Sequence, residues 1–317
     1  MKLRVGSRGS QLALWQANHI AALLRGAGHD VEIEIIKTTG DRLQEVTFGE
    51  VGTKGMFTKE IEEALAHRSI DLAVHSLKDL PTELPGEFAL AATPPRADPR
   101  DAFVSVKHAN LAALPERARV GTSSQRRRAQ LLALRPDLDP QEFRGNVDTR
   151  LRKLAEGQVE AILLAAAGLD RLGKTDWVRQ RLDPKEFCPA VGQGALGIET
   201  RKGDDAVIEA VAFLDHADTR FAVTAERAAL AQLGGGCQVP IGIHCRPSFQ
   251  RGDDQNDGPW DEIFGVIADP KTGKAVRIHH RVLQHSMKTV DLGRLAAKML
   301  TAAGAAQILE CSRGGAG

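Results

Sequence analysis

The sequence contains no tyrosine, and its aromatic residues comprise only ten phenylalanines and three tryptophans. Proteins that bind single-stranded nucleic acid stack the bases on aromatic side chains, so this composition argues against that class. Neither sign of charge is in excess, because 42 Lys and Arg face 41 Asp and Glu and leave a net charge of +1. No global field attracts nucleic acid or a membrane surface, and any cationic site must be local.

Cysteine, long apolar runs and metal-ligand motifs are also scarce. The four cysteines include no CxxC pair, so in a chain of this length we expect reduced thiols and no disulfide framework. The ten histidines show neither an HExxH motif nor a Cys/His ligand spacing, which predicts no metal site. The N-terminus lacks the apolar stretch of a signal peptide, and the longest apolar runs, such as residues 161–167, are too short to span a bilayer. We expect a soluble, cytoplasmic protein without membrane contact.

The first hundred residues alternate between strand and helix patterns. A short buried strand at residues 3–6 precedes an amphipathic helix that Ser10 caps and that runs to about Arg25. Residues 31–35 alternate with period two, which is typical of a strand. Apolar residues at helical spacing then lead into a strand at residues 71–75. This order predicts a parallel sheet covered by helices on both faces.

A second series repeats this order further along the chain. Residues 119–125 resemble residues 4–11 with one residue fewer, and residues 154–163 resemble residues 65–74. The matches occur in the same order at similar separations, so we predict two similar α/β lobes with a cleft between them.

Two segments are typical of crossings between such lobes and together predict a hinge. They are the proline-rich residues 93–99 and, for the return, residues 189–199. Beyond about residue 215 the pattern changes to a long helix, three strands and a final helix, which predicts a separate α+β domain. The predicted domains are residues 1–95 with 195–214, residues 96–194, and residues 215–317.

The long helix of the third domain leads into a glycine-rich loop, Gly234-Gly235-Gly236-Cys237-Gln238-Val239-Pro240. Glycines permit positive φ and close approach of other groups, while the proline stiffens the exit of the loop. A thiol in a polar loop is a better candidate for covalent chemistry than one on an apolar strand. For these residues taken alone, a flexible connector with an incidental cysteine is the alternative.

Polar residues cluster where the predicted strands end, which is where α/β sheets bind ligands. They are Ser7, Arg8, Ser10, His75, Ser76, Lys78, Asp79, Thr122, Ser123, Ser124, Arg126, Arg127, Arg144, Asn146, Arg150 and Arg171. Apart from Asp79, the set is cationic or hydrogen-bonding. Because arginine binds carboxylates in a bidentate fork, these residues indicate a ligand that bears several carboxylates. For residues 126–128 alone, a solvated helix face or a nucleic-acid patch is the alternative.

Two further features receive no functional assignment. Residues 192–197 match the pattern GxGxxG, but they lead into a strand-like segment and not a helix, so no dinucleotide site is predicted. His75 lies at the end of an apolar strand, where a structural role is the more common one.

Several stretches resemble the porphobilinogen deaminase (hydroxymethylbilane synthase) family, and they stand in family order along the whole chain. They are residues 12–17 (LALWQA), 54–55 (KG), 73–81 (AVHSLKDLP), 98–103 (DPRDAF), 121–124 (GTSS), 144–147 (RGNV), 189–194 (PAVGQG) and the Cys237 loop. The sequence departs from the family pattern at Gln125, at Asp148 and at the extra cation Arg128.

The resemblance implies two similar doubly wound lobes of the type II periplasmic-binding-protein-like fold, with a cleft and hinge, plus a C-terminal α+β domain. It implies a dipyrromethane cofactor joined to Cys237 by a thioether, and stepwise addition of porphobilinogen to this primer with loss of ammonia. A linear tetrapyrrole is then released by hydrolysis. Porphobilinogen carries an acetate and a propionate, in agreement with the arginine set.

The resemblance also implies residue roles. Asp79 would be the catalytic residue and would stabilise the cationic azafulvene left when ammonia departs. The implied cofactor-binding residues are Cys237, Lys78, Asp79, Thr122, Ser124, Arg126, Arg127, Arg144 and Gly145. The implied substrate-binding residues are Arg8, Ser10, Arg144, Arg150, Arg171 and Gln193.

Two other readings stay open at this point. A two-lobed polycarboxylate-binding protein without catalysis would share the hinge and the arginines, but it would not need the third domain or the cysteine loop. A nucleic-acid binder would lose affinity steeply as salt rises. We expect a monomer with a small-molecule substrate and no nucleic-acid partner.

Overall fold

The computed structural model describes residues 1–39, 58–235, 239–248, 259–284 and 286–313. The strands are β1 (Lys2–Ser7), β2 (Asp30–Ile35), β3 (Leu72–Ser76), β4 (Phe88–Ala92), β5 (Asp101–Val104), β6 (Arg119–Gly121), β7 (Asp139–Gln141), β8 (Ala161–Ala165), β9 (Val178–Arg181), β10 (Leu196–Arg201), β11 (Ile241–Ser248), β12 (Trp260–Ala268) and β13 (Ala275–Leu283). The helices are α1 (Gln11–Gly26), α2 (Lys59–Ala66), α3 (Gln125–Leu134), α4 (Val147–Ala155), α5 (Ala166–Arg171), α6 (Asp205–Ala212), α7 (Ala217–Gln232), α8 (Thr289–Ala302) and α9 (Ala305–Arg313).

The chain divides into two compact units. The first comprises Met1–Ala97, Arg171–Gly173 and Gly194–Arg220, and the second comprises Asp98–Asp170, Lys174–Gln193 and Phe221–Gly317. The second unit holds both the second α/β lobe and the C-terminal sheet. The three-domain division drawn from the sequence stays a prediction.

Each unit contains a five-stranded sheet, and the two sheets share one strand order. The first reads β2-β1-β3-β10-β4 and the second reads β7-β6-β8-β5-β9. In both, the strand that opens the βαβ series lies between the two strands that follow it and pairs with them in parallel. The repeated α/β design predicted from the sequence is confirmed.

The parallel pairing predicted for β1, β2 and β3 is confirmed, but each five-stranded sheet also contains one antiparallel strand. β10 runs antiparallel to both of its neighbours, and so does β5. Each is the first strand after the chain passes from one unit to the other. Leu196 at the start of β10 pairs with Ser76 at the end of β3. The chain therefore enters each sheet at the edge where the parallel strands end, and it can only run back against them.

Helix α1 shows how the sequence builds this layer. Ser10 caps it, its side-chain oxygen accepting from the backbone N–H of Ala13, as predicted. Ile20 and Leu24 are fully buried in one core with Leu3 and Val5 of β1. Burying such a side chain contributes about 1.5 to 3 kcal/mol, which fixes α1 on the sheet and places its N-terminus beside the end of β1.

The sheet of the second lobe is buried on both faces, as the sequence predicts. Leu163 of β8 packs with Phe103 and Val120 on one face. Ile162 and Leu164 pack with helix α4 on the other. This alternation puts successive strand residues into two separate cores.

The C-terminal sheet has the antiparallel order β11-β12-β13. Ile243 and Ile263 on one face pack against α7, α8 and α9. Phe264 on the other face packs against Ala129 of α3. Gly273 in the β12–β13 turn has φ of 73°, and a Cβ there would lie 2.6 Å from the backbone carbon of Leu132, so only glycine permits this docking on α3. Within the described residues no helix is both long and apolar enough to cross a membrane.

Candidate active site

In the first unit, predicted site residues gather at the carboxyl ends of β1 and β3. A pocket of about 70 Å³ is lined by Arg8, Ser10, Leu12, Ala13, Gln16, Thr58, Ile61, Val74, His75, Ser76 and Asp79. Arg8, Ser10 and Asp79, which the sequence places on different elements, therefore meet at one site.

Local hydrogen bonds build this pocket. Ser7 is fully buried and its hydroxyl donates to the carbonyl of Ala13 at 3.1 Å, which ties the end of β1 to α1. The buried Gln16 donates through Nε2 to Oγ of Ser76 at 2.8 Å, which ties α1 to the end of β3. The polar ends of both strands are thus held by their neighbours and not by solvent.

Asp79 lies in the short 3₁₀ turn Leu77–Asp79 that follows β3. Leu77 and Leu80 are buried on either side and anchor the turn, while the Asp79 side chain is exposed. Asp79 makes no hydrogen bond or ion pair within the part of the chain that the structure describes, so its carboxylate can face a ligand. Lys78 is half-buried in the same turn.

His75 and Glu199 form a buried pair beneath this pocket. Nε2 of His75 lies 2.9 Å from Oε2 of Glu199, which is fully buried on β10. Sequence reasoning left His75 unassigned and did not identify Glu199. The signal available was a glutamate in the strand sequence Leu-Gly-Ile-Glu-Thr, where a charged residue is unusual.

In the second unit the central group is Asp101, a fully buried carboxylate at the start of β5. It accepts from Arg126 Nη1 at 2.7 Å, from Arg127 Nε at 2.8 Å and from Gln193 Nε2 at 3.0 Å. Burial by itself raises the pKa of Asp101, but the two guanidinium groups outweigh it and hold the pKa well below its usual range. The expectation that Asp79 is the one carboxylate among the cationic groups is therefore wrong.

Arg126 and Arg127 are accordingly held in place by the protein. Both are buried, and Arg126 also donates to the carbonyl of Cys188 at 2.6 Å, while Arg127 donates to the carbonyl of Leu163 at 3.1 Å. Two guanidinium groups thus meet one carboxylate, and the group keeps a net positive charge. The next arginine, Arg128, does not join this group and donates to the carbonyls of residues 140 and 270.

Arg150 on α4 adds a further cation to this group. Burial and the neighbouring charge of Arg127 lower the pKa of Arg150 to about 10. Its Nε is buried and has no hydrogen-bond partner among the described residues. A buried donor without a partner is costly, and an anionic ligand would relieve that cost.

Two hydroxyl side chains and two helix N-termini lie next to these cations. Ser124 caps α3 and accepts from the N–H of Arg127, while Thr122 accepts from the N–H of Ser124. Gly145 has φ of 122°, and a Cβ there would lie 2.8 Å from Thr149, so this tight turn before α4 requires glycine. The N-termini of α3 and α4 therefore lie beside the arginines, and both helix N-termini favour binding of an anion there.

Two other predicted residues take different positions. Arg144 donates through Nε to Glu142 at 2.6 Å in the second unit. Arg171 belongs to the first unit, where it donates to the carbonyl of Gly194 at 2.7 Å and its guanidinium lies 5.8 Å from the ring centre of Trp15. Their predicted contacts with substrate stay predictions.

Cys237, Gly236, Lys54 and Gly55 lie outside the described residues. The residues before the cysteine are described: Gly234 has φ of 62°, and a Cβ on Gly235 would lie 2.6 Å from Leu230. Gly234 thus has a backbone conformation that favours glycine, and a Cβ at Gly235 would have to displace the Leu230 side chain. No group of three or more His, Cys, Asp or Glu side chains within the described residues is placed to hold a metal ion.

Fold and site together define a class: a two-lobed α/β protein with a C-terminal domain, whose strand ends carry cations and hydroxyls suited to an anionic ligand. The family model described as "Porphobilinogen deaminase, dipyromethane cofactor binding domain" matches residues 3–209. The model described as "Porphobilinogen deaminase, C-terminal domain" matches residues 220–302. The chain belongs to the porphobilinogen deaminase family, and it is an enzyme, a transferase with a dipyrromethane-binding domain.

Relatives extend over nearly the whole chain. The porphobilinogen deaminase of Trichlorobacter lovleyi is 50% identical over 311 residues, which cover 98% of this chain and 96% of the relative. That of Nitratidesulfovibrio vulgaris strain DP4 is 50% identical over 312 residues, with 97% and 96% covered.

Solved structures of solute-binding proteins are similar at a lower level. The methionine binding protein MetQ has a TM-score of 0.44 at 13% identity, covering 67% of this chain and 89% of its own. A TRAP periplasmic solute binding protein from Desulfovibrio salexigens has a TM-score of 0.41 at 13% identity, covering 70% and 74%.

Proposed function

We propose that this enzyme condenses four porphobilinogen molecules, one after another, on a dipyrromethane primer carried by Cys237, with release of ammonia, and then frees hydroxymethylbilane by hydrolysis. The observation that carries the proposal is the cationic group around Asp101, with a buried donor on Arg150 that has no partner among the described residues. Both primer and substrate bear acetate and propionate side chains, which are the anions such a group would bind.

The residues of the second unit fit a group with several carboxylates. Arg126 and Arg127 are fixed by Asp101 before any ligand arrives, so binding does not have to restrict two long side chains. Arg150 would receive a carboxylate at its unpartnered Nε. Thr122, Ser124, Gly145 and Arg144, which lie around the N-termini of α3 and α4, would donate to the other carboxylate oxygens.

The bound dipyrromethane supplies the pyrrole carbon to which each new substrate unit is joined. The protein's part is to hold that group, and we assign its attachment to the thiol of Cys237. Because thiolate is the reactive form of cysteine, attachment needs the thiol in a polar surrounding. Cys188 and Cys245 do not meet this requirement, since both are buried. Burial raises the pKa of the Cys188 thiol far above its usual range.

Asp79 would act on the substrate from the pocket of the first unit. Positive charge develops on the substrate as its amine departs, and a fixed carboxylate facing that charge lowers the barrier. Asp79 would also take up the proton that the reacting pyrrole carbon loses. Arg8 and Ser10, which line the same pocket, would hold the substrate carboxylates together with Lys78 and Arg171 of the same unit. In the second unit, Gln193 would support binding through Asp101, to which it donates.

Intact-mass measurement of protein from a porphobilinogen-producing host tests the proposal. We expect the chain to be heavier by one dipyrromethane, and Cys237→Ser to lack this increment. Alanine variants of Cys188, Cys245 and Cys311 are the matched controls and should keep it. An unmodified parental mass would refute the proposal. We also propose that the enzyme is monomeric and cytoplasmic. Analytical sedimentation measures its oligomeric state and should give the mass of one chain.

A further inference from the structure

Burying the polar pair of His75 and Glu199 costs more free energy than is needed to pack strands β3 and β10 together. β10 runs antiparallel to β3 with Gly197 opposite His75 and Glu199 opposite Ala73. Glu199 therefore lies on the same face as His75 and reaches it diagonally, with 2.9 Å between Oε2 and Nε2. An apolar pair at these positions would hold the strands at least as well, because desolvating a carboxylate offsets much of what its ion pair returns.

The second carboxylate oxygen of Glu199 adds to the free-energy cost of burying this pair. Oε1 of Glu199 is buried and has no hydrogen-bond partner within the described residues. Glu62 on α2 lies close by, and burial together with the charge of Glu199 raises the pKa of Glu62. Two carboxyl groups thus share one poorly solvated region with a single imidazole, an arrangement that is more common at reactive sites than in structural cores.

The imidazole connects this region to the pocket of Asp79. His75 is 93% buried but lines the pocket together with Asp79 and Arg8. Because an ionised carboxylate only accepts hydrogen bonds, an ionised Glu199 requires the His75 tautomer with hydrogen on Nε2 and leaves Nδ1 as the basic nitrogen. His75 makes no other hydrogen bond among the described residues. Glu199 therefore acts on His75 as the orienting carboxylate acts in a carboxylate–histidine pair.

We propose that His75, oriented by Glu199, holds the proton released in each condensation until ammonia takes it; this rests on the function proposed above. In one cycle the carbon–nitrogen bond of the substrate breaks and ammonia leaves with the electron pair. The substrate methylene carbon forms a bond to the terminal pyrrole carbon, whose C–H electron pair returns to the ring. The proton passes through Asp79 to Nδ1 of His75 and then to ammonia, which departs as ammonium. Nothing is oxidised or reduced.

The charged groups that face His75 come from four elements. They are Glu199 of β10, Glu62 of α2, Arg8 after β1 and Asp79 after β3, whereas α1 contributes the uncharged Gln16. A proton acceptor must begin each cycle unprotonated, so we expect kcat of the parental enzyme to fall on the acidic side. Removing the imidazole or its orienting carboxylate should change that acidic limb.

The test measures kcat and KM for porphobilinogen between pH 5 and 9, about the range in which histidine changes its charge, in cofactor-loaded His75→Gln and Glu199→Gln. We expect His75→Gln to lose about 100-fold in kcat, within the range for a general base, with its acidic limb removed and KM within about twofold. Glu199→Gln should lose less kcat than His75→Gln and should shift the acidic limb of the pH profile. Glu199→Asp, which keeps the carboxylate, should have a higher kcat than Glu199→Gln. Thr200→Val, which removes a buried hydroxyl one residue further along β10, is the control and should keep the parental profile.

A parental profile and rate in His75→Gln would overturn the inference. It would also be overturned if activity fell only in proportion to the fraction of protein that carries the mass increment, because that result indicates a structural role. If Glu199→Gln does not fold, His75→Gln and Glu199→Asp decide. Failure of the proposed function is distinguishable, since the parental protein would then lack the mass increment and would not turn over porphobilinogen.

Discussion

Replacing Asp101 by asparagine tests how the cationic group of the second unit is held together. The side chain is fully buried, and its two oxygens accept from Arg126, Arg127 and Gln193. Asparagine has one acceptor oxygen, so in either orientation its NH₂ group would face a guanidinium N–H. Two buried arginines would also lose their counter-charge.

Removing one partner of a buried ion pair costs about 3 to 5 kcal/mol, and we expect a loss of that order in the free energy of unfolding. Urea unfolding followed by circular dichroism at pH 7 measures it. Glu156→Gln is the matched control, because its partner Arg152 lies on the exposed face of α4. An exposed pair of this kind contributes only about 0.3 to 0.5 kcal/mol.

The pH dependence follows from the same residue. Because the pKa of Asp101 is lowered in the folded state, its contribution is present above the ordinary carboxyl pKa and is lost only as pH falls through the folded value. The parental protein should therefore lose stability in strong acid, and Asp101→Asn should lack that part of the loss. If Asp101→Asn were no less stable at pH 7 than Glu156→Gln, the arginines would not depend on this carboxylate, and the reasoning would be refuted.

The remaining predictions concern three other groups. Arg150→Ala should weaken binding of the primer carboxylates by about 2 to 5 kcal/mol without lowering stability, since its Nε has no partner to lose among the described residues. Mass spectrometry measures how much protein carries the primer, and thermal melting measures stability. Arg152→Ala is the control, and an equal loss of primer binding in both variants would indicate a general basic face. Asp79→Asn should lower kcat by orders of magnitude while Asp79→Glu retains more, and near-parental turnover by Asp79→Asn would disprove its role. Burial raises the pKa of Glu262, but Arg246 and Arg281 outweigh it and lower that pKa to about 2. The contribution of Glu262 to stability should therefore vanish as pH falls from about 4.5 to 2. The melting temperature of Glu262→Gln should depend less on acid, and an unchanged acid dependence would count against this.

Substitution of the paired arginines should affect stability as well as ligand binding. Their place at the predicted strand ends would by itself lead us to expect that Arg126→Ala and Arg127→Ala impair only the site. Both side chains are buried against Asp101, so either substitution should also destabilise the second unit. Arg128, although adjacent in sequence, donates to the carbonyl of Pro270, so Arg152 is the better control for these variants.

Features set by neighbouring residues could be predicted from the sequence. Ser10 and Ser124 cap α1 and α3 because the cap bond reaches only three residues along the chain. The buried stripe of α1 follows from helical periodicity. The repeat of the two lobes can be detected in the sequence because both lobes contain the same local strand and helix patterns in the same order. The arginines at the strand ends, and therefore the anionic ligand, follow from these elements together.

The partners of those residues depend on the tertiary structure. Asp101 stands at the start of its strand and 25 positions before Arg126, and it reaches the arginines only because β5 runs antiparallel to β8. Glu199 lies 124 positions from His75 and meets it only because β10 enters the sheet beside β3. Strand order and direction are set by how whole elements bury their apolar faces, and no local pattern encodes them. The sequence therefore determined which chemical groups the site contains, whereas the packing of distant strands decided which charges are paired and which donor is left for a ligand.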